Sequence, residues 1–200
     1  MKQYLILDGA ILEHKLEQAL SLHEQHRSLY RGQTVPEIEA VGPYLFPYPH
    51  TDAFNSWFIG NGLRNNWGIL VNAAASLDEI ENHFRQFLMV KTEEGQELYF
   101  RFYDPRVLRI FLPTCDAAQL REMFGAVHSF VCHDADDSFL FQYTLRNNTL
   151  YTATLPTENL FPQSVDQILE TQSAPELKEN LPAQQQDPQT PKAKPFRFIE

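Results

Sequence analysis

Apolar residues run consecutively at 4–7 (Tyr-Leu-Ile-Leu) and stop at Asp8 and Gly9, which predicts a short strand. The pattern then changes to helical spacing, with Leu12, Leu16, Ala19, Leu20 and His23 on one side, so one helix is expected here. A strand followed by a helix is an α/β opening. Residues 28–32 form a short extended piece ended by Gly32, and 35–42 allow a helical turn starting near Pro36. Prolines 43, 47 and 49 forbid a helix over the next stretch, which reads as extended. Asp52 is placed to cap a helix that ends at Gly60 or Gly62. Residues 67–75 are apolar at consecutive positions and predict a central strand. Ser76 with Glu79 makes a capping box for a helix burying Leu77, Ile80, Phe84, Phe87 and Leu88.

Two β-rich runs flank Glu-Glu-Gly-Gln at 93–96, a hairpin in which Gly95 supplies positive φ. Asp104 and Pro105 are the N-cap and first-turn residues of a short helix stopped by Pro113. Asp116 and Gly125 bound another helix. Residues 126–134 predict a strand, and a second hairpin turns at Asn147-Asn148. The expectation is an α/β fold. It is a single domain over 1–165, with a mixed sheet, two hairpins and several short packed helices. After Pro156 the texture changes: one or two helical turns over 165–172 precede a proline- and glutamine-rich stretch with little to bury, so 166–200 is expected to be a flexible, disordered tail. It ends in Phe-Arg-Phe-Ile-Glu, an apolar patch that either pairs back on a sheet edge or is held out for a partner.

Composition narrows the function classes. The 200 residues are 43% hydrophobic, with 15 Phe and 8 Tyr, enough for one core. A net charge of -10 argues against nucleic acid and anionic membrane as partners. No run approaches the ~18 apolar residues of a membrane span, and no signal peptide is read, so the expected location is the cytoplasm. Cys115 and Cys132 allow one disulfide, but two unpaired thiols need no explanation in a cytosolic protein.

Chemical constellations are sparse. His23 with His26, and His128 with Cys132 and His133, lack metal-ligand spacing, so no metal is expected. No serine sits in a nucleophile elbow. Cys132 and His133 point to opposite faces of a strand, and no phosphate loop is present, so no catalytic residue and no cofactor are assigned. The exception to the overall acidity is 101–109, with Arg101, Asp104, Arg106 and Arg109 at a strand-to-helix junction. In one reading Asp104 caps the helix and the arginines are solvated; in the other the group meets carboxylates of a partner. The rings at 44, 46 and 48 between prolines are expected to leave some aromatic surface exposed, since alternate side chains of an extended segment oppose each other.

The order of several short motifs resembles the family of domain of unknown function 4123 (VasW-like). The matches are ILDGA (6–10), HRSLYRG (26–32), VGPYLF (41–46), NNWGILV (65–71), SLDEIENHFRQFLMV (76–90), LYFRFYDPRVLRIFLPT (98–114) and MFGAV (123–127). The resemblance implies a cytoplasmic adaptor chaperone of the bacterial type VI secretion system, without chemistry of its own. Such a protein binds a secreted effector and helps load it onto the VgrG spike protein. Carried over by position, the polar signature falls on Arg101, Tyr103, Asp104, Pro105, Arg106 and Arg109, with Gly42, Pro43, Trp67 and Gly68. The candidate protein contacts are Arg101, Tyr103, Asp104, Arg106, Arg109, Tyr44 and Trp67. The alternative is a small hydrolase or transferase using Asp104 and nearby arginines.

Overall fold

The apolar run at 4–7 becomes the third strand of a seven-stranded sheet, buried on both faces. In the computed structural model, residues 1–30, 41–92, 95–134 and 139–157 are described, together with the backbone of 196–198. The large sheet has the order β2-β3-β1-β4-β7-β8-β9. Its strands are β1 (Lys2–Asp8), β2 (Arg27–Ser28), β3 (Pro43–Tyr48), β4 (Gly68–Ala73), β7 (Val127–His133), β8 (Phe139–Arg146) and β9 (Thr149–Pro156). A smaller sheet of β5 (Met89–Thr92), β6 (Glu97–Tyr99) and β10 (Phe196–Phe198) has the order β10-β5-β6. The α/β class, the single domain and both hairpins are as expected, and β4 is central.

The sheet is not mixed: every pairing among the described residues is antiparallel. The consecutive apolar runs in β1 and β4 do not require parallel neighbours. They arise because both faces of an antiparallel sheet are covered. One face packs Ile6, Leu45, Ile69, Val71 and Phe130 against helices α4 (Leu77–Arg85), α5 (Pro105–Phe111) and α6 (Ala117–Phe124). The other packs Leu5, Leu7, Phe46, Leu70 and Val131 against α1 (Gly9–Leu12), α2 (Lys15–Leu22) and α3 (Asp52–Trp57). Cys132 and His133 fall on opposite sides of β7, with Cys132 in the first of these clusters. Burial pushes the thiols of Cys115 and Cys132 up to about 12, and both are free.

Local signals explain most element ends. Ser76 and Glu79 form the expected capping box, as do Asp116 and Gln119. Gly95 has φ +83, and Asn147 and Asn148 have φ 50 and 63, the geometry of a two-residue primed turn. Three expectations need correction. The helix over 10–25 is two helices broken at Glu13, where φ is 51; with that break Leu12, Leu16 and Ala19 all reach one cluster. The cap of α3 is Thr51, whose hydroxyl accepts from the Phe54 amide, and the helix continues as a π turn over Phe58–Gly62. Tyr44, Phe46 and Tyr48 are all buried, because residues two apart in a strand share a face. The turn expected near Pro36, the helical turns of 165–172 and the tail up to 195 lie outside the described residues.

Candidate functional site

β1, β3 and β4 bring Asp8, Pro43 and the Leu7–Gly68 pair to one end of the large sheet. Asp8 closes β1 and caps α1: its Oδ1 accepts from the amides of Ala10 at 3.0 Å and Ile11 at 3.4 Å. Its Oδ2 accepts from Nε of Arg101 at 3.0 Å and also from Nη2 of the same guanidinium. Asp8 is fully buried, while the Arg101 side chain is 41% exposed, so the pair has a dry floor and a wet rim. Burial pulls the Arg101 guanidinium down, but its hydrogen bonds to Asp8 and the nearby negative charge outweigh this and hold it above its ordinary value.

Around this pair lies a cavity of about 270 Å³ lined by Asp8, Ala10, Tyr30, Val41, Tyr99, Arg101 and Tyr103. Tyr30 and Tyr103 both line it, and burial pushes Tyr30 up to about 12 and Tyr103 higher still. Tyr99 stands at the mouth, 55% exposed, with its ring edge-on to Tyr30 at 5.9 Å. Gly42 lets this wall form. A Cβ there would lie 2.1 Å from the Tyr30 ring, so any side chain would displace it.

The neighbouring junction belongs to the same electrostatic group. Asp104 caps α5 through the Arg106 amide at 2.9 Å, with Pro105 in the first turn. It is also gripped by the Arg106 guanidinium, Nε to Oδ1 at 3.0 Å and Nη2 to Oδ2 at 2.7 Å. Burial raises the Asp104 carboxyl, but the Arg106 hydrogen bonds and the charges of Arg106 and Arg101 win and hold it below its ordinary range. The Arg106 side chain is 57% exposed. Its guanidinium is thus presented to solvent in a fixed orientation.

Arg101, Asp104 and Arg106 are therefore brought together, as the spacing of 101–109 suggested, and Tyr103, named by the resemblance, lines the same cavity. Arg109 is not among them: its Nη1 donates to the His133 carbonyl, tying α5 to β7. Tyr44 and Trp67 are buried rings of the opposite cluster and present no contact surface. Sequence reasoning missed Asp8, Tyr30 and Tyr99 as site residues, although each lies inside a motif quoted above. Asp8 and Arg101 are 93 residues apart, and nothing local joins them.

One histidine of the noted clusters, His23, serves the core. His23 is buried, stacked on His50 at 3.7 Å, donates from Nε2 to the Pro47 carbonyl and accepts at Nδ1 from the Gln25 amide. Among the described residues, no group of three or more His, Cys, Asp or Glu side chains is placed to hold a metal ion. No described helix is long and apolar enough to cross a membrane.

The family that matches this chain is DUF4123, a domain of unknown function, over residues 3–122. The chain belongs to the DUF4123 family. No curated protein and no solved structure matches it. The DUF4123 match includes all seven cavity-lining residues and stops before β7, so the β7–β9 meander lies outside it.

Proposed function

We propose that this DUF4123 chain is a non-enzymatic adaptor that binds a secreted effector and helps load it onto a VgrG-type spike protein of a type VI secretion system, in the cytoplasm. The observation that carries the reading is the cavity at the end of the sheet. A half-exposed arginine, fixed from below by a buried carboxylate, stands beside an exposed tyrosine and two buried ones. Arginine and tyrosine are the side chains that dominate protein-contact energetics, and orienting them in advance lowers the entropy lost on binding. Arg106, held in a fork by Asp104, and the exposed Val41 at the cavity wall add polar and apolar contacts. The motif resemblance supplies the secretion context.

The hydrolase or transferase reading fits less well. Asp104 has both oxygens engaged and its carboxyl held low, which suits a cap and an ion pair more than proton transfer at neutral pH. Asp8 likewise spends both oxygens on the helix cap and on Arg101.

The test is capture of the spike protein and effector by the tagged chain on co-expression, with Tyr99→Ala and Arg106→Ala alongside. Tyr99 is exposed and holds no buried charge; in Arg106→Ala the buried Asp104 loses its guanidinium but keeps its cap bond to the residue-106 amide, so both variants are compared only after thermal unfolding shows that they fold. The expected result is capture by the wild type and a loss of about tenfold or more in at least one folded variant, the effect of about 1.4 kcal/mol at a contact hot spot. A well-folded wild type that captures neither protein rejects the reading.

A further inference from the structure

The chain uses one arrangement twice at the cavity and the junction beside it. Asp8 caps α1 and Asp104 caps α5, and each carboxylate also takes the Nε and Nη2 side of one guanidinium, Arg101 on Asp8 and Arg106 on Asp104. Both carboxylates are buried, whereas both arginine side chains are about half exposed. Each pair is neutral in sum, yet its negative charge faces the core and its positive charge faces outward. A guanidinium carries five N–H donors in a planar fork, and its contact with the aspartate uses only one side of that fork. The other edge, Nη1 with the far hydrogen of Nη2, meets no acceptor among the described residues in either arginine.

Such an edge binds a carboxylate through two parallel, charge-assisted hydrogen bonds. The aspartate beneath fixes its orientation beforehand, so little side-chain freedom is lost on binding. Asp8 cannot satisfy the outer edge itself, because its Oδ1 is spent on two amides and its Oδ2 on the inner edge. The two pairs feel each other's charge, Arg101 acting on Asp104 and Asp8 on Arg106, and form one outward-facing group. Beside Arg101 the cavity wall is largely apolar, built from Ala10, Val41 and the rings of Tyr30, Tyr99 and Tyr103. A bare inorganic anion would leave that wall unused. We propose, resting on the adaptor reading, that the cavity takes a short segment of the partner protein in which an aspartate or glutamate stands next to an apolar side chain. The carboxylate meets the outer edge of Arg101, the apolar group packs against the tyrosine rings, and Arg106 offers a second edge alongside. The net charge of -10 repels anions in general, so an anion that binds here is held by this site and not by the overall field.

The test uses the full chain and a small probe, hydrocinnamate, so that its outcome does not depend on which protein the chain binds. Hydrocinnamamide, which lacks the charge, and phenyl phosphate are the comparisons. Binding is read from NMR shifts of the arginine Nε–H groups and of the backbone amides of 99–103. Arg101→Lys keeps a charge over Asp8 but has no planar edge, and Tyr99→Ala removes an exposed ring; both are used once thermal unfolding shows that they fold. The expected result is half-saturation by hydrocinnamate at about 10 mM or below. The amide, and the acid with Arg101→Lys, should bind about tenfold or more weaker. Tyr99→Ala should weaken the acid by about threefold or more. If Arg101→Lys does not fold, the amide and Tyr99→Ala decide alone. No binding of the acid, equal binding of acid and amide, an unchanged affinity in folded Arg101→Lys, or tighter binding of phenyl phosphate overturns the proposal. Capture of the spike protein or effector by a chain that binds no carboxylate rejects this site and leaves the adaptor reading standing. Arginine-dependent carboxylate binding without capture does the reverse.

Discussion

Asp8 has no exposure to solvent, so its charge must be answered by protein groups, and two amides and one guanidinium do so. That arrangement makes the two partners unequal. Arg101→Ala leaves a buried carboxylate without its counter-charge and should cost about 2–3 kcal/mol, below the ~3–5 of a fully enclosed pair because solvent reaches Arg101. Asp8→Asn keeps a side-chain acceptor for the α1 amides and leaves only a half-exposed arginine, so about 1–2 kcal/mol is expected. The double variant should be more stable than Arg101→Ala alone, since no buried charge remains. Urea denaturation of the three proteins decides it, and strictly additive losses would contradict the account. The caps Ser76, Asp104 and Asp116 were legible because each acts on amides two or three residues away. The Asp8–Arg101 pair was not legible, since it depends on how the small sheet docks beside the end of β1.

At the scale of elements, hairpin turns were the most readable features, because they are set by the φ that two or three residues tolerate. Asn147 and Asn148 both take positive φ between β8 and β9. Asn148→Ala should cost about 1 kcal/mol, while Asn148→Gly should be neutral or slightly stabilising; thermal unfolding of the pair is the check. Strand direction was misread for a physical reason. A consecutive apolar run reports that both faces are covered, and says nothing about whether the neighbours are parallel. Period was also misapplied at 44–48: three rings at spacing two were taken as opposed, yet they line one face and are all buried. The break at Glu13 left no mark in the apolar spacing, since Leu12, Leu16 and Ala19 remain at helical intervals on either side of it.

For the whole molecule, two histidines, buried His23 and half-buried His83, set an acid limit. Burial lowers His23, outweighing its hydrogen bond to Pro47, and burial lowers His83, outweighing its bond to the Met123 carbonyl. With folded values below the unfolded 6.5, the unfolded chain binds more protons in the interval between them, so stability rises with pH there. The contribution is complete above pH 6.5 and is lost as pH falls through the folded values. The thermal midpoint should therefore be level between about pH 7 and 8 and decline below 6.5. His83→Gln, which can keep a donor toward the Met123 carbonyl, should flatten part of that decline. A midpoint that rises on acidification over this range would contradict the assignment. Architecture at this scale was readable from alternating strand and helix patterns. The cavity was not, because its walls come from 8–10, 30, 41 and 99–103, which only the folded chain brings together.

Site-specific photo-crosslinking tests the central claim, that the end of the sheet beside Asp8 and Arg101 is a protein-contact surface. A photoreactive phenylalanine replaces Tyr99 at the cavity mouth or, as a control, Tyr151 on β9, which is comparably exposed at 51%. The account expects position 99 to link to the spike protein or the effector in cells that express both, and position 151 to remain unlinked. Linking from 151 alone, or no linking from 99 in a folded protein, would contradict it.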